Sequence, residues 1–134
     1  MPIISIKTLP LDAGVDTSAI LCKITVGTAK IMGCPPEHVW ATWEFLQPDN
    51  YAVGNTLSKN QPASSHSPIV RILSFEGKSQ ATIENMMKTM AGVLSEGLAI
   101  RLENIFIEYS EGYSGKIFDG GQMVYAKTDQ TGKS

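Results

Sequence analysis

Cysteine is scarce in this chain. Cys22 and Cys34 are the only two among 134 residues. Their spacing suits neither a metal-ligand set nor a redox pair, so both read as reduced thiols of a cytoplasmic protein, and no metal site is expected. An excess of one charge is lacking too. Eleven basic residues stand against thirteen acidic ones, for a net charge of −2. That gives no electrostatic field for nucleic acid and no polybasic stripe for an anionic membrane. No apolar run approaches the ~20 residues of a membrane span. No charged segment followed by an apolar one opens the chain, so no signal peptide is expected. Gly120-Gly121 lacks the Lys-Ser/Thr and the helix that would make it a phosphate loop, and no cofactor is expected.

What is present is a repeat. The chain matches itself at an offset of 66 residues, from Pro2 to Pro68. Pro2-Ile3-Ile4 matches Pro68-Ile69-Val70, Ile20 and Ile24 match Met86 and Met90, and Glu37 matches Glu103. Val39-Trp40 matches Ile105-Phe106, Trp43 matches Tyr109, and Gly54 matches Gly120. A period this long is a supersecondary unit duplicated, not a solenoid repeat. One domain is expected over residues 2–125, built of pseudo-repeats 2–54 and 68–121. A polar linker, 55–67, joins them, and a polar tail, 126–134, follows.

Each unit reads strand, helix, strand. Isoleucines 3, 4 and 6 mark a first strand over 2–8. Asp16, Thr17 or Ser18 is placed to cap a helix striped with Ile20, Ile24 and Ile31, which Gly33 and Pro35-Pro36 end. Residues 38–45 read as the second strand. In the second unit the strand is 68–75, Glu76-Gly77-Lys78 turns, and Ser79 caps a helix with the stripe Ile83, Met86, Met87, Met90, Val93, Leu94 and Leu98. That methionine-rich face reads as core. Residues 104–109 form the last long strand. A strand–helix–strand crossover makes the strands of each unit parallel. The fold class expected is α/β (α+β): tandem β-α-β units, a four-stranded sheet, and both helices on one face. The other face reads as apolar and in need of cover from other subunits.

Pro2 gives the repeat a chemistry. A small second residue permits methionine removal, after which the Pro2 nitrogen is a secondary amine. An α-amino group titrates near ~8 in water, and burial lowers that value by desolvating the cation. An amine poised near neutrality suits a general base. Pro68, at the equivalent strand start, is acylated by Ser67 and has neither proton nor basicity.

An amino-terminal proline, a duplicated β-α-β unit and a length of about 130 residues together resemble the tautomerase superfamily. The second unit looks like the 4-oxalocrotonate tautomerase protomer, through Pro68-Ile69-Val70, Phe75-Glu76-Gly77-Lys78-Ser79, Ile105-Phe106-Ile107-Glu108 and Gly120-Gly121. Gly33-Cys34-Pro35-Pro36 is similar to a stretch of macrophage migration inhibitory factor. The fused length is nearer malonate semialdehyde decarboxylase and cis-3-chloroacrylic acid dehalogenase. The resemblance implies a homotrimer with the sheets wrapped into a barrel, and three competent sites rather than six. It implies a small carboxylic acid as substrate.

The resemblance also assigns site residues. Lys78 stands where the tautomerase has a carboxylate-binding arginine, keeping the charge without the bidentate fork. Phe75 and Tyr51 correspond to pocket-lining positions. Trp40 and Phe106 occupy the place of a second arginine. Asp119 aligns with the water-activating glutamate of the cis-dehalogenase, Glu108 falls near its assisting tyrosine, and His38 lies near the aspartate of the decarboxylase. Ala29 stands where that dehalogenase has a histidine. Arg71, inside an apolar strand, needs a partner: a carboxylate across an interface or a substrate carboxylate. His66 is given no role.

Three activities follow. The first is a cofactor-independent tautomerase with Pro2 as base on a 2-hydroxy-dienoate or enol-pyruvate-type acid. The second is a hydratase, dehalogenase or decarboxylase of a three-carbon acid, with cationic Pro2 and Asp119. The third is a non-enzymatic trimeric binding or signalling module.

Overall fold

A computed structural model describes residues 2–127. Met1, whose removal the chemistry above requires, and the tail from residue 128 onward lie outside them. The elements run β1 (Ile3–Thr8), α1 (Thr17–Met32), β2 (Trp40–Phe45), β3 (Ile69–Phe75), α2 (Gln80–Leu98), β4 (Phe106–Gly112), β5 (Ile117–Asp119) and β6 (Gln122–Val124).

Local chemistry sets most of these boundaries. The Asp16 carboxylate accepts from the Ala19 N–H and opens α1. Ser79 does the same for α2 through the Thr82 N–H. Both helices end in a left-handed residue, Gly33 (φ 68°) and Ala99 (φ 53°), one repeat apart. Short 3-10 turns then follow at Pro36–His38 and Leu102–Asn104, again one repeat apart. These turns move the starts of two expected strands, shortening the one expected over 38–45 and shifting the one expected over 104–109 to 106–112. Pro36 starts a turn closed by the Val39 N–H on the Pro36 carbonyl at 3.0 Å, so β2 begins at Trp40 and His38 is in the turn. Asn104 likewise sits in a turn, and β4 begins at Phe106.

The sheet order is β2-β1-β3-β4. β1/β2 and β3/β4 are parallel, as the crossovers require, and β1/β3 is antiparallel. The two units therefore meet through an approximate two-fold relation. Ile4, Ile6, Val70 and Ile72 point from the central strands into a core closed by Ile20 and Ile24 of α1 and by Met86, Met90 and Leu94 of α2. Each such side chain contributes roughly 1.5–3 kcal/mol of burial.

The opposite face corrects an expectation. It is not uniformly apolar. Ile3, Trp40, Ile69, Leu73 and Phe106 share it with Ser5, Lys7, Thr42, Glu44, Arg71 and Glu108, the register pairing Lys7 with Glu44 and Arg71 with Glu108. Alternation in a strand decides which face a residue takes, and these charges fall on the outer one.

Two further features were not expected. Residues 117–124 form a hairpin of two three-residue strands, turned by Gly120 (φ 64°) and Gly121 (φ 82°). Two successive positive-φ residues make the primed turn whose twist suits a hairpin. The linker is also pinned, not loose. Gln61 accepts from the Leu9 N–H and donates to the His66 carbonyl, while the Asn104 amide donates to the carbonyls of Pro62 and Ser65. His66, 3% exposed, bonds Ser65 and the Thr56 carbonyl through its two ring nitrogens.

Candidate active site

Pro2 lies at the start of β1, fully buried, and its carbonyl accepts from the Trp40 N–H at 3.0 Å. Pro68 is its counterpart: fully buried, its carbonyl accepts from the Phe106 N–H at 3.2 Å. Because β1 and β3 are antiparallel, these two prolines occupy opposite ends of the sheet. Ile3 pairs with Leu73, and the same register carried one residue further sets Pro2 against Ser74. The Pro2 end is thus walled by the start of β2, the ends of β3 and β4, and the turn into α2.

Several candidates gather at that end. Trp40 begins β2 beside Pro2, 47% exposed, and its indole N–H is already given to the Glu37 carbonyl at 3.2 Å. His38 precedes it, exposed. Phe75 closes β3. Half-buried Lys78 follows, lining an open groove of about 700 Å³ with Ile83, Tyr109, Glu111 and Tyr113. The β5–β6 hairpin approaches the same end at Gly112. Ile117 occupies the space a side chain at Gly112 would take, with Leu73 beside that space, and Asp119 ends the same short strand. The hairpin is tied down where the Glu76 carboxylate accepts from the Ser114 N–H at 2.7 Å.

Other candidates lie elsewhere. Arg71 and Glu108 pair with each other at 3.6 Å on the outer face, so the partner of Arg71 within the protomer is neither of those expected. Both side chains are more than half exposed, and such pairs contribute little stability. Phe106 stands beside Pro68. Tyr51 is at the Pro68 end as well: its hydroxyl donates to the Ser67 carbonyl at 2.8 Å and its ring meets His66 edge-on. Burial pushes the Tyr51 hydroxyl above the ordinary tyrosine value. The Arg101 guanidinium holds the exposed Glu103 carboxyl below its usual value. Among the described residues, no cluster of His, Cys, Asp or Glu could hold a metal ion, and no helix is long and apolar enough to cross a membrane.

Two polar side chains escaped the sequence reading. Ser74 Oγ and Tyr109 Oη are buried without a hydrogen-bond partner. The available signal was a hydroxyl at an inward strand position, matched across the repeat by Thr8.

Solved structures share this fold. A fused 4-OT, described as a wild-type asymmetric trimer, superposes with a TM-score of 0.77 at 20% identity, over 90% of this chain and 94% of that one. The chain has the tautomerase-superfamily fold. Pt0534, solved after inactivation by 2-oxo-3-pentynoate, carries the same tautomerase fold, with a TM-score of 0.75 at 12% identity over 94% of this chain and 97% of that one. Macrophage migration inhibitory factor from Oncomelania hupensis gives 0.76 at 15% identity over 98% and 88%. No family model and no curated protein sequence matches.

Proposed function

We propose that the protein is a cofactor-independent tautomerase acting on a small 2-hydroxy-dienoate or enol-pyruvate-type acid, with Pro2 as its general base once Met1 is removed. The observation that carries this is the placement of a fully buried Pro2, by strand register, at the sheet end where Lys78 follows β3. The free Pro2 amine takes a proton from the substrate hydroxyl or carbon and returns it at another carbon. Lys78 holds the carboxylate as a point charge. Asp119 and the aromatic rings of Trp40 and Phe75 wall the site. Pro68 remains an amide and does no proton chemistry.

We also propose a homotrimer in which neighbouring sheets cover the outer face. Its mixture of Trp40, Leu73 and Phe106 with the Arg71–Glu108 pair suits an interface that is part apolar and part charged. The fused 4-OT relative is a trimer by its description.

The test uses untagged protein with Met1 removal confirmed by intact mass. 2-Oxo-3-pentynoate is a conjugated ynone, and a secondary amine adds across its triple bond without a leaving group. The expected mass gain is one whole reagent molecule, on the peptide beginning at Pro2. Turnover of 2-hydroxymuconate or phenylenolpyruvate should fall by about two to four orders of magnitude in Pro2→Ala. Equal turnover in the variant and the wild type refutes the proposal. Light scattering at a defined concentration checks the trimer.

A further inference from the structure

The two halves of the chain differ where the repeat says they should match. Thr8 and Ser74 are equivalent, as are Trp43 and Tyr109. In the first half, the Trp43 Nε1–H donates to Thr8 Oγ1 at 3.0 Å, and this buried donor and acceptor satisfy each other. In the second half, Ser74 Oγ and Tyr109 Oη stay apart and both lack a partner. Ser74 is 1% exposed. Buried polar groups without a partner are few in native proteins, and each calls for a reason.

Position supplies one. Lys7 pairs with Ile69, so the register carried one residue further sets Thr8 against Pro68, just as it sets Ser74 against Pro2. The Pro68 nitrogen is acylated and has no hydrogen to give. There the hydroxyl is satisfied by Trp43. The Pro2 nitrogen gains a hydrogen once Met1 is gone, and there the hydroxyl is left open. Side chains at positions 2 and 74 also share the helix-facing side of the sheet, on which both are fully buried.

We infer that Ser74 is a positioning residue for Pro2, its Oγ accepting a hydrogen bond from the Pro2 amine. This rests on the reading of Pro2 as the base. A neutral secondary amine has one N–H and one lone pair. Anchoring the N–H on Ser74 fixes where the lone pair points, which is what a base in a defined pose needs. The same contact favours the charged amine and opposes the effect of burial. Other ionisable side chains carried by the segments at this end are Glu37 and His38 ahead of β2, Glu76 and Lys78 after β3, Tyr109 and Glu111 on β4, Tyr113 after it and Asp119 on β5. None of them bonds Ser74 Oγ.

Protein labelled with 15N-proline tests the contact directly. Of the seven prolines, only Pro2 has a nitrogen that can titrate after Met1 removal. Its resonance is followed against pH in the wild type, Ser74→Ala and Ser74→Thr. The Ala variant should titrate about one pH unit lower, from loss of a hydrogen bond to a charged group. The Thr variant, which restores the hydroxyl found at Thr8, should titrate as the wild type does. An unchanged midpoint in the Ala variant overturns the inference, as does an equal shift in the Thr variant. If Ser74→Ala does not fold, Ser74→Cys keeps the volume with a weak acceptor, and a midpoint matching the wild type overturns the inference equally. The titration needs no substrate. Its failure leaves ynone labelling of Pro2 intact, whereas loss of that labelling strikes the proposed function instead.

Discussion

Tyr109→Phe should stabilise the protein although it deletes a polar atom from the interior. Tyr109 Oη is buried and unpartnered, so the folded state bears its desolvation with no compensating bond. Mutational scales put such an orphan at ~1–3 kcal/mol, and removing it should recover about 1 kcal/mol. With a urea m-value of about 2 kcal/mol/M for a domain of this size, the midpoint rises by about 0.5 M. Trp43→Phe at the equivalent position should do the reverse. It removes the N–H that satisfies Thr8 Oγ1, whose residue is 0% exposed, and leaves a smaller ring in the same space. The orphaned hydroxyl and the lost packing together cost about 2–4 kcal/mol, which lowers the midpoint by about 1–2 M. Both variants are unfolded in urea at one protomer concentration, because association would otherwise shift apparent stability. A Tyr109→Phe midpoint that falls as far as that of Trp43→Phe means the hydroxyl has a partner. The contrast between the halves would then be wrong.

Ala99 holds a left-handed conformation that Gly33 fills at the equivalent cap, so Ala99→Gly should gain about 0.5–1 kcal/mol. That raises Tm by about 2–4 °C in calorimetry. Gly97→Ala places its Cβ 2.9 Å from Cδ1 and Cγ1 of buried Ile20. Overpacking of ~1–3 kcal/mol outweighs the ~1 kcal/mol gain in helix propensity, and Ile20→Val in the same chain should restore only part of the loss, because it removes Cδ1 and keeps Cγ1. Tyr51 should titrate above the ordinary value of 10.0. Ultraviolet difference titration of wild type against Tyr51→Phe isolates it. A folded-state value raised above the unfolded one means that its contribution is fully present below pH ~10 and is lost as pH climbs through the folded value.

Much of this architecture was legible in the chain. The 66-residue offset carried the strand pairs, while both N-caps and the end of the first helix at Gly33 were read locally, because caps and apolar stripes are local signals. Strand starts were harder. Pro36 and Leu102 open 3-10 turns that a run of β-branched and aromatic residues conceals. The hairpin at 117–124 was invisible because three-residue strands leave no alternation to read. Partners across strands were harder still. Arg71 meets Glu108, and Trp43 meets Thr8, only through a register that spacing does not give. For the same reason, Phe106 and Tyr51 shared a list with Trp40 and Phe75, while the antiparallel seam sends them to the far end of the sheet. The Ser74–Tyr109 pair was hidden for a related cause: an absent bond has no sequence signature.

The antiparallel contact of β1 with β3 has a consequence for the chain as a whole. Each proline is set against the far end of the other repeat's first strand, so the surroundings of each are completed by the other half. Cutting the polypeptide between the repeats would leave Pro2 on one piece and Ser74, Lys78 and the 117–124 hairpin on the other. Fusion therefore lets the second copy drift into a housing for the first.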